Sequence, residues 1–297
     1  MHKAAYVDPV FQEAYQLEPF AFCRGCHAPE ADPASAPAEG ARAVGVGCTT
    51  CHVEGEQIVG RSSFAKAGDR HAVVGDARLH TEDACGACHQ FDFPAAKGSP
   101  MQSTLAEHAT SKLSSVTCQG CHMKEVDDGG GKRHTSHTFS VLGDPAMIRS
   151  AATVEAARVG GREVRVTIEP GAVGHAVPTG DMFRRLEIRA QAVDPEGRVV
   201  LTAPAIHLVR SFADRSTSAR EADFARVQVA DTRVAAPGSG GGRRVLLRFD
   251  RPVANLSVRW SVVYQRMGTA MAASFGVEQA HDEVVVADGV LPVDRSP

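Results

Sequence analysis

Eight cysteines, all lying between Cys23 and Cys121, constrain this chain more than any other feature. They form four pairs: Cys23-Arg-Gly-Cys26-His27, Cys48-Thr-Thr-Cys51-His52, Cys85-Gly-Ala-Cys88-His89 and Cys118-Gln-Gly-Cys121-His122. In each pair histidine follows the second cysteine directly. Cys-x-x-Cys-His is the attachment signature of c-type haem. The two thiols add to the porphyrin vinyl groups as thioethers, and the adjacent histidine is placed under the iron as proximal axial ligand. Other uses of paired cysteines are two four-thiolate zinc sites, structural disulfides and thioredoxin-like redox pairs. None of these requires histidine at the next position. Histidine supplies 13 of 297 residues, roughly 4% per position, so four coincidences would arise roughly a few times in a million. The expectation is four covalently attached haem c groups, with iron ligands His27, His52, His89 and His122.

The motifs begin at residues 23, 48, 85 and 118, in steps of 25, 37 and 33. Roughly 30 to 40 residues per macrocycle cannot bury a core of their own. Aromatic residues are only 5% of the chain, with one tryptophan. Both facts point to haem as the interior of this half, with an apo form that is largely unfolded. A formal charge of -3 argues for neither a nucleic-acid nor a membrane-surface partner. No apolar run reaches the roughly 20 residues that span a bilayer. Covalent haem attachment takes place outside the cytoplasm, so a periplasmic or extracellular location is expected, with an export leader upstream of Met1.

The residue on the far side of each iron decides carrier against enzyme. A sixth protein ligand favours electron transfer, whereas an open position permits catalysis. Nine histidines lie outside the motifs: His2, His71, His80, His108, His134, His137, His175, His207 and His281. His134 and His137 follow a glycine-rich stretch close behind the fourth motif, where a loop could swing either over an iron. His175 lies in Gly-His-Ala-Val-Pro-Thr-Gly, a turn able to present it back to the first half. His71 and His80 immediately precede the third motif. His108 belongs to an expected helix over 102–113 and faces either an iron or solvent. His207 and His281 lie in strand-like sequence and read as structural. Met101 and Met123 are alternative ligands near motifs, and a methionine would raise a potential; methionine is more often packing.

Composition shifts near residue 152, giving two domains, 1–152 and 153–297. The first reads as short helices and loops. A helix is expected from Asp8 through Cys23, with Pro9 suited to the first turn. Residues 28–43 read as an Ala/Pro-rich loop, and 144–151 as a capped helix. The second domain has period-two alternation, as in Val164, Val166 and Ile168. Strands flanking Gly160-Gly161 form a hairpin, and further hairpins are expected across 195–197 and 235–242. The fold class is therefore α+β: a loop-and-short-helix multihaem domain followed by an antiparallel, Ig-like β-sandwich of seven or eight strands.

Several longer stretches resemble the bacterial multihaem cytochromes c of the cytochrome c-554-like superfamily, several of which carry a C-terminal β-domain. The stretches are MQSTLAEHATS, TCQGCHMK, HTSHTF and GHAVPTGDMFRRLEIR, with FCRGCHAP and GVGCTTCH. The resemblance implies electron transfer through closely packed haems, mostly with histidine on both iron faces, and His137 and His175 as distal ligands. In such proteins a stretch like MHKAAYVDPVF often follows an earlier haem motif. That implies a start internal to a longer protein, a further haem upstream, and His2 as a buried distal ligand.

The leading function expected is a carrier relaying single electrons between redox proteins, other multihaem cytochromes among them, with Arg184 and Arg185 as neutralisers of haem propionates. The alternative is an oxidoreductase acting on a small nitrogen or sulfur compound at one open-coordinate haem. A third role, compatible with the first, is docking of the cytochrome through its β-domain onto a larger complex.

Overall fold

In the computed structural model of the chain, residues 2–17, 20–32, 34–63, 71–127, 129–131, 133–139, 141–214, 226–274, 276 and 283–294 are described. The first half contains seven short helices among these residues. They are α1 (Pro9–Leu17), α2 (Ala21–His27), α3 (Glu39–Val44), α4 (Cys48–His52), α5 (Asp83–His89), α6 (Thr104–Ala109) and α7 (Cys118–His122). Between them run β1 (Val53–Glu54), β2 (Gln57–Gly60), β3 (Val73–Gly75), β4 (Gln90–Phe93), β5 (Ala96–Ser103), β6 (Glu125–Asp127) and β7 (Arg133–Thr135). They form one three-stranded sheet and two two-stranded ones, where the sequence suggested loops.

Local chemistry sets these boundaries. Asp8 accepts a hydrogen bond from the Phe11 amide at 3.2 Å, so α1 starts at Pro9 as a capped helix should. The single helix expected from Asp8 to Cys23 is instead two, α1 and α2. Pro19 lies in the interval, and proline disfavours helix at the residue before it. The helix expected over 102–113 shrinks to α6, because β5 takes the chain through Ser103 in pairing with β4. The expected loop over 28–43 leads into α3, which begins at Glu39.

The second half opens with α8 (Pro145–Ser150), capped by Asp144 at 3.1 Å from the Met147 amide. Strands follow as β8 (Ala152–Arg158), β9 (Glu163–Pro170), β10 (Arg185–Val193), β11 (Val199–Thr202), β12 (Ile206–Asp214), β13 (Arg226–Asp231), β14 (Arg243–Arg248) and β15 (Ser257–Gln265). Helix α9 (Thr269–Ser274) and strand β16 (Glu283–Leu291) complete it. One antiparallel sheet has the order β14-β9-β8, and the other β13-β12-β10-β15-β16 with β11 also on β10. The β8–β9 hairpin forms as expected, with Gly160 at φ 72°. Two expectations change. The strand after 195–197 divides into β11 and β12 around Pro204, which has no amide to give a ladder. The hairpin across 235–242 does not form, because β13 pairs with β12 and β14 with β9.

Alternation explains the packing of the two sheets. Val164, Val166 and Ile168 of one sheet join Leu186, Ile188 and Ala190 of the other in a single apolar cluster, each at most 1% exposed. The first half has nothing comparable among its described residues. Its buried clusters are Tyr6, Phe11 and Ala28; Val10 with Met267 and Ala272; and Phe93 with Ala96. The β-half thus has one continuous core, and parts of the first half pack on its residues at Val10 and Phe93. Ile188→Ala is expected to cost ~2–5 kcal/mol, read as a lowered urea midpoint; an unchanged midpoint would show that the sheets do not share this core.

Candidate functional site

Each cysteine motif closes a helix of one to two turns: α2 and α5 have seven residues, α4 and α7 five. Residues three and four apart share a helix face. The two cysteines of a motif therefore point the same way, and the histidine one residue on ends the helix beside them. None of the eight cysteines is joined to another as a disulfide, and none is fully buried. Motifs also meet one another. Cys26 lies beside Cys88, and Cys85 beside Cys118. The third motif is thus the neighbour of both the first and the fourth.

Three motif histidines are faced by a second histidine from a distant part of the chain. His89 lies opposite His2, with ring centroids 6.3 Å apart. His52 lies opposite His137 at 5.8 Å. His122 lies opposite His175 at 6.3 Å, with ring planes only 7° apart. A metal–imidazole nitrogen bond is about 2 Å, so two rings sharing one ion in line stand roughly 6 Å apart, centre to centre. The spacing fits one ion between each pair. Each pair supplies only two donors, which suits an iron whose other four positions are held by a porphyrin, and suits tetrahedral zinc poorly.

Ring orientation supports the same use. His52 donates through Nδ1 to the Val59 carbonyl at 2.9 Å, and His175 to the Ala176 carbonyl at 3.0 Å. Metal-bound histidines commonly give their other N–H to such a carbonyl, which leaves Nε2 for the metal. Burial, then the charges of His2 and Arg184, pushes the His89 imidazole down to about 4. Burial is also the first cause holding His2, His122 and His175 below the ordinary histidine range. These rings stay neutral near pH 7, the form that binds metal. Val53 follows His52, and Val116 precedes the fourth motif; both are exposed. Apolar side chains beside each motif would suit the face of a macrocycle.

His27 differs. Its Nδ1 donates to the Ala5 carbonyl at 2.7 Å, and its ring stacks on Phe11 at 3.7 Å. Among the described residues no second histidine ring faces it.

The remaining expected residues are placed elsewhere. His80 is exposed and tied to Arg61, through the carbonyl at 2.7 Å and the guanidinium at 3.2 Å. His71 is exposed just before β3, and His134 is exposed in β7, opposite Val126. His108, expected at an iron or in solvent, is instead 8% exposed and donates from Nε2 to the Val116 carbonyl at 2.9 Å. His207 bonds Glu187 at 3.2 Å. His281 lies outside the described residues. Met101 packs beside Phe93, and Met123 caps the end of α7. Arg184 pairs with Asp181 at 2.7 Å and acts on His89. Arg185 turns instead into the β-half, to Gln265 at 2.6 Å and Glu187 at 2.8 Å.

Sequence reasoning missed Glu107, which holds the turn carrying His175. From α6 it accepts the Thr179 hydroxyl at 2.7 Å and the Ala176 amide at 3.2 Å. It also accepts Ser103 at 2.6 Å and Arg233 at 2.8 Å. Arg233 in turn donates to the Pro178 carbonyl at 2.9 Å. Burial acts to raise the Glu107 carboxyl, but Arg233 and the two hydroxyls outweigh it and keep it ionised. One carboxylate of the first half and one guanidinium of the β-half therefore clamp the His175 turn between them. A lone glutamate in a helix carries no sequence signal for such a role.

No protein-family model matches the chain, and no curated protein matches it. Among solved structures, the fold is that of a multihaem c-type cytochrome. The match is the penta-haem cytochrome c552 from Thermochromatium tepidum, with TM-score 0.75 and 22% identity over 99% of this chain and 94% of that one. A glycoside hydrolase family 2 β-glucuronidase also aligns, at TM-score 0.19 over 49% of this chain and 11% of that one with 11% identity, and carries no argument.

Arg233 is 5% exposed at its side chain and Glu107 13%. Removing one partner of a buried ion pair strands the other. Glu107→Ala is expected to lower stability by ~3–5 kcal/mol in chemical denaturation, and an unchanged midpoint would dismiss the clamp.

Proposed function

We propose that this chain is an electron-transfer protein, passing single electrons between redox partners through four covalently held c-type haems. The observation that carries the reading is the opposition of a second imidazole to three of the four motif histidines. When bound, haem supplies the one-electron redox chemistry. The chain does the rest. Cys23 and Cys26, Cys48 and Cys51, Cys85 and Cys88, and Cys118 and Cys121 anchor the groups. His27, His52, His89 and His122 would hold the irons, with His2, His137 and His175 as second ligands. The Val59 and Ala176 carbonyls fix the ring orientation. Ligation on both sides closes three sites to substrates, which is what a carrier needs. The third motif lies beside the first and the fourth, which would keep the groups close enough for transfer.

Attachment chemistry favours a periplasmic or extracellular setting, with other redox proteins as partners. We read residues 1–152 as the tetrahaem domain and 153–297 as an Ig-like sandwich that supports it and supplies His175. The described residues contain no helix long and apolar enough to cross a membrane.

A second reading has one specific observation in its favour. His27 stacks on Phe11 and meets no second histidine among the described residues. An iron there would be the place for oxidoreductase chemistry on a small nitrogen or sulfur compound.

Protein exported through a haem-attaching host is expected to carry four haem masses and a low-spin ferric signal in electron paramagnetic resonance. His137→Ala is expected to turn one iron high-spin. A colourless sample ends the proposal, and a wild-type high-spin signal lost on adding nitrite or hydroxylamine moves it to the second reading.

A further inference from the structure

The second and third sites share their support. His2 and His137, the residues opposite the third and second motifs, come from segments more than 130 positions apart in sequence, yet both meet Phe139. The Phe139 ring lies 4.3 Å from the His2 ring and 6.2 Å from the His137 ring, edge-on to the latter at 82°. Its backbone sits at φ 44°, a region bulky residues rarely enter. From that backbone the aromatic ring meets both imidazoles, and such outliers cluster where function over-determines the backbone.

The backbone of His2 is held as well. Its carbonyl accepts the Val46 amide at 3.0 Å, two residues before the second motif begins. Gly45, at φ 59°, lies so close that a Cβ would fall 2.7 Å from that carbonyl oxygen. The segment entering the second motif thus holds the main chain of the third site's outer ligand, while Phe139 holds its ring.

We propose that Phe139 is a positioning residue common to two sites, keeping His2 against His89 and His137 against His52 at once. Ligation at the second and third irons is therefore coupled through one side chain, whereas the His122–His175 site, held by Glu107 and Arg233, is independent of it. The inference rests on the haem-binding reading above.

The test uses the full exported holoprotein, with spin-quantified electron paramagnetic resonance and haem content measured on the same samples. His2→Ala and His137→Ala are each expected to add one high-spin iron over wild type. Phe139→Ala is expected to add signal at two irons, and Phe139→Tyr, which keeps the ring, to restore the wild-type spectrum. An unchanged spectrum for Phe139→Ala, a change at one iron only, or a Phe139→Tyr variant as altered as Phe139→Ala overturns the inference. If Phe139→Ala does not accumulate, Phe139→Leu, which keeps apolar bulk without the ring, is read by the same criteria. Wild-type protein without covalent haem overturns the function itself, whereas haem-loaded variants indistinguishable from wild type overturn only the role of Phe139.

Discussion

A helix of five to seven residues does not hold its shape alone in water, and all four motifs end such helices. Their histidines can keep a fixed direction only if something outside the helix holds them. Carbonyls at Ala5 and Val59 do so for His27 and His52, and an iron bound between facing imidazoles would do so in the proposed reading. In that reading the imidazole pair is the joint on which the first half depends. It ties a local motif to a remote segment: the N-terminal turn for His89, the stretch after β7 for His52, and the turn before β10 for His122.

The β-half makes the last of these joints possible. Its two sheets bury Val166, Ile168, Leu186 and Ile188 completely, at roughly 25 cal/mol per Å² of apolar surface removed from water. The first half buries only small separate clusters. A turn projecting from the packed sheets can therefore offer His175 as a fixed ligand. Glu107 and Arg233 join the two halves at that turn, so the boundary between them runs through a site.

Much of the architecture was legible in the residues, for identifiable reasons. Alternation at Val164, Val166 and Ile168 names a strand because side chains repeat every second residue. The Gly160-Gly161 hairpin was legible because turn chemistry is local. The pairings of β13 and β14 were not, since strands at a glycine-rich turn can join either sheet with the same alternation. His80 looked as suitable a ligand as His137 from position alone. What separates them is Arg61, which occupies both nitrogens of His80, and no sequence rule reports that contact.

The amino-acid sequence by itself determined which cysteines and histidines stand together along the chain, the pattern from which covalent haem is proposed. Cysteine, cysteine and histidine at fixed short spacing fall within about one helical turn in each motif. Tertiary structure alone decided which histidine stands opposite, that Phe139 touches two of them, and that Glu107 steadies a third. Those choices depend on distances between segments separated by tens to hundreds of residues, and only the packed chain brings such segments within bonding range.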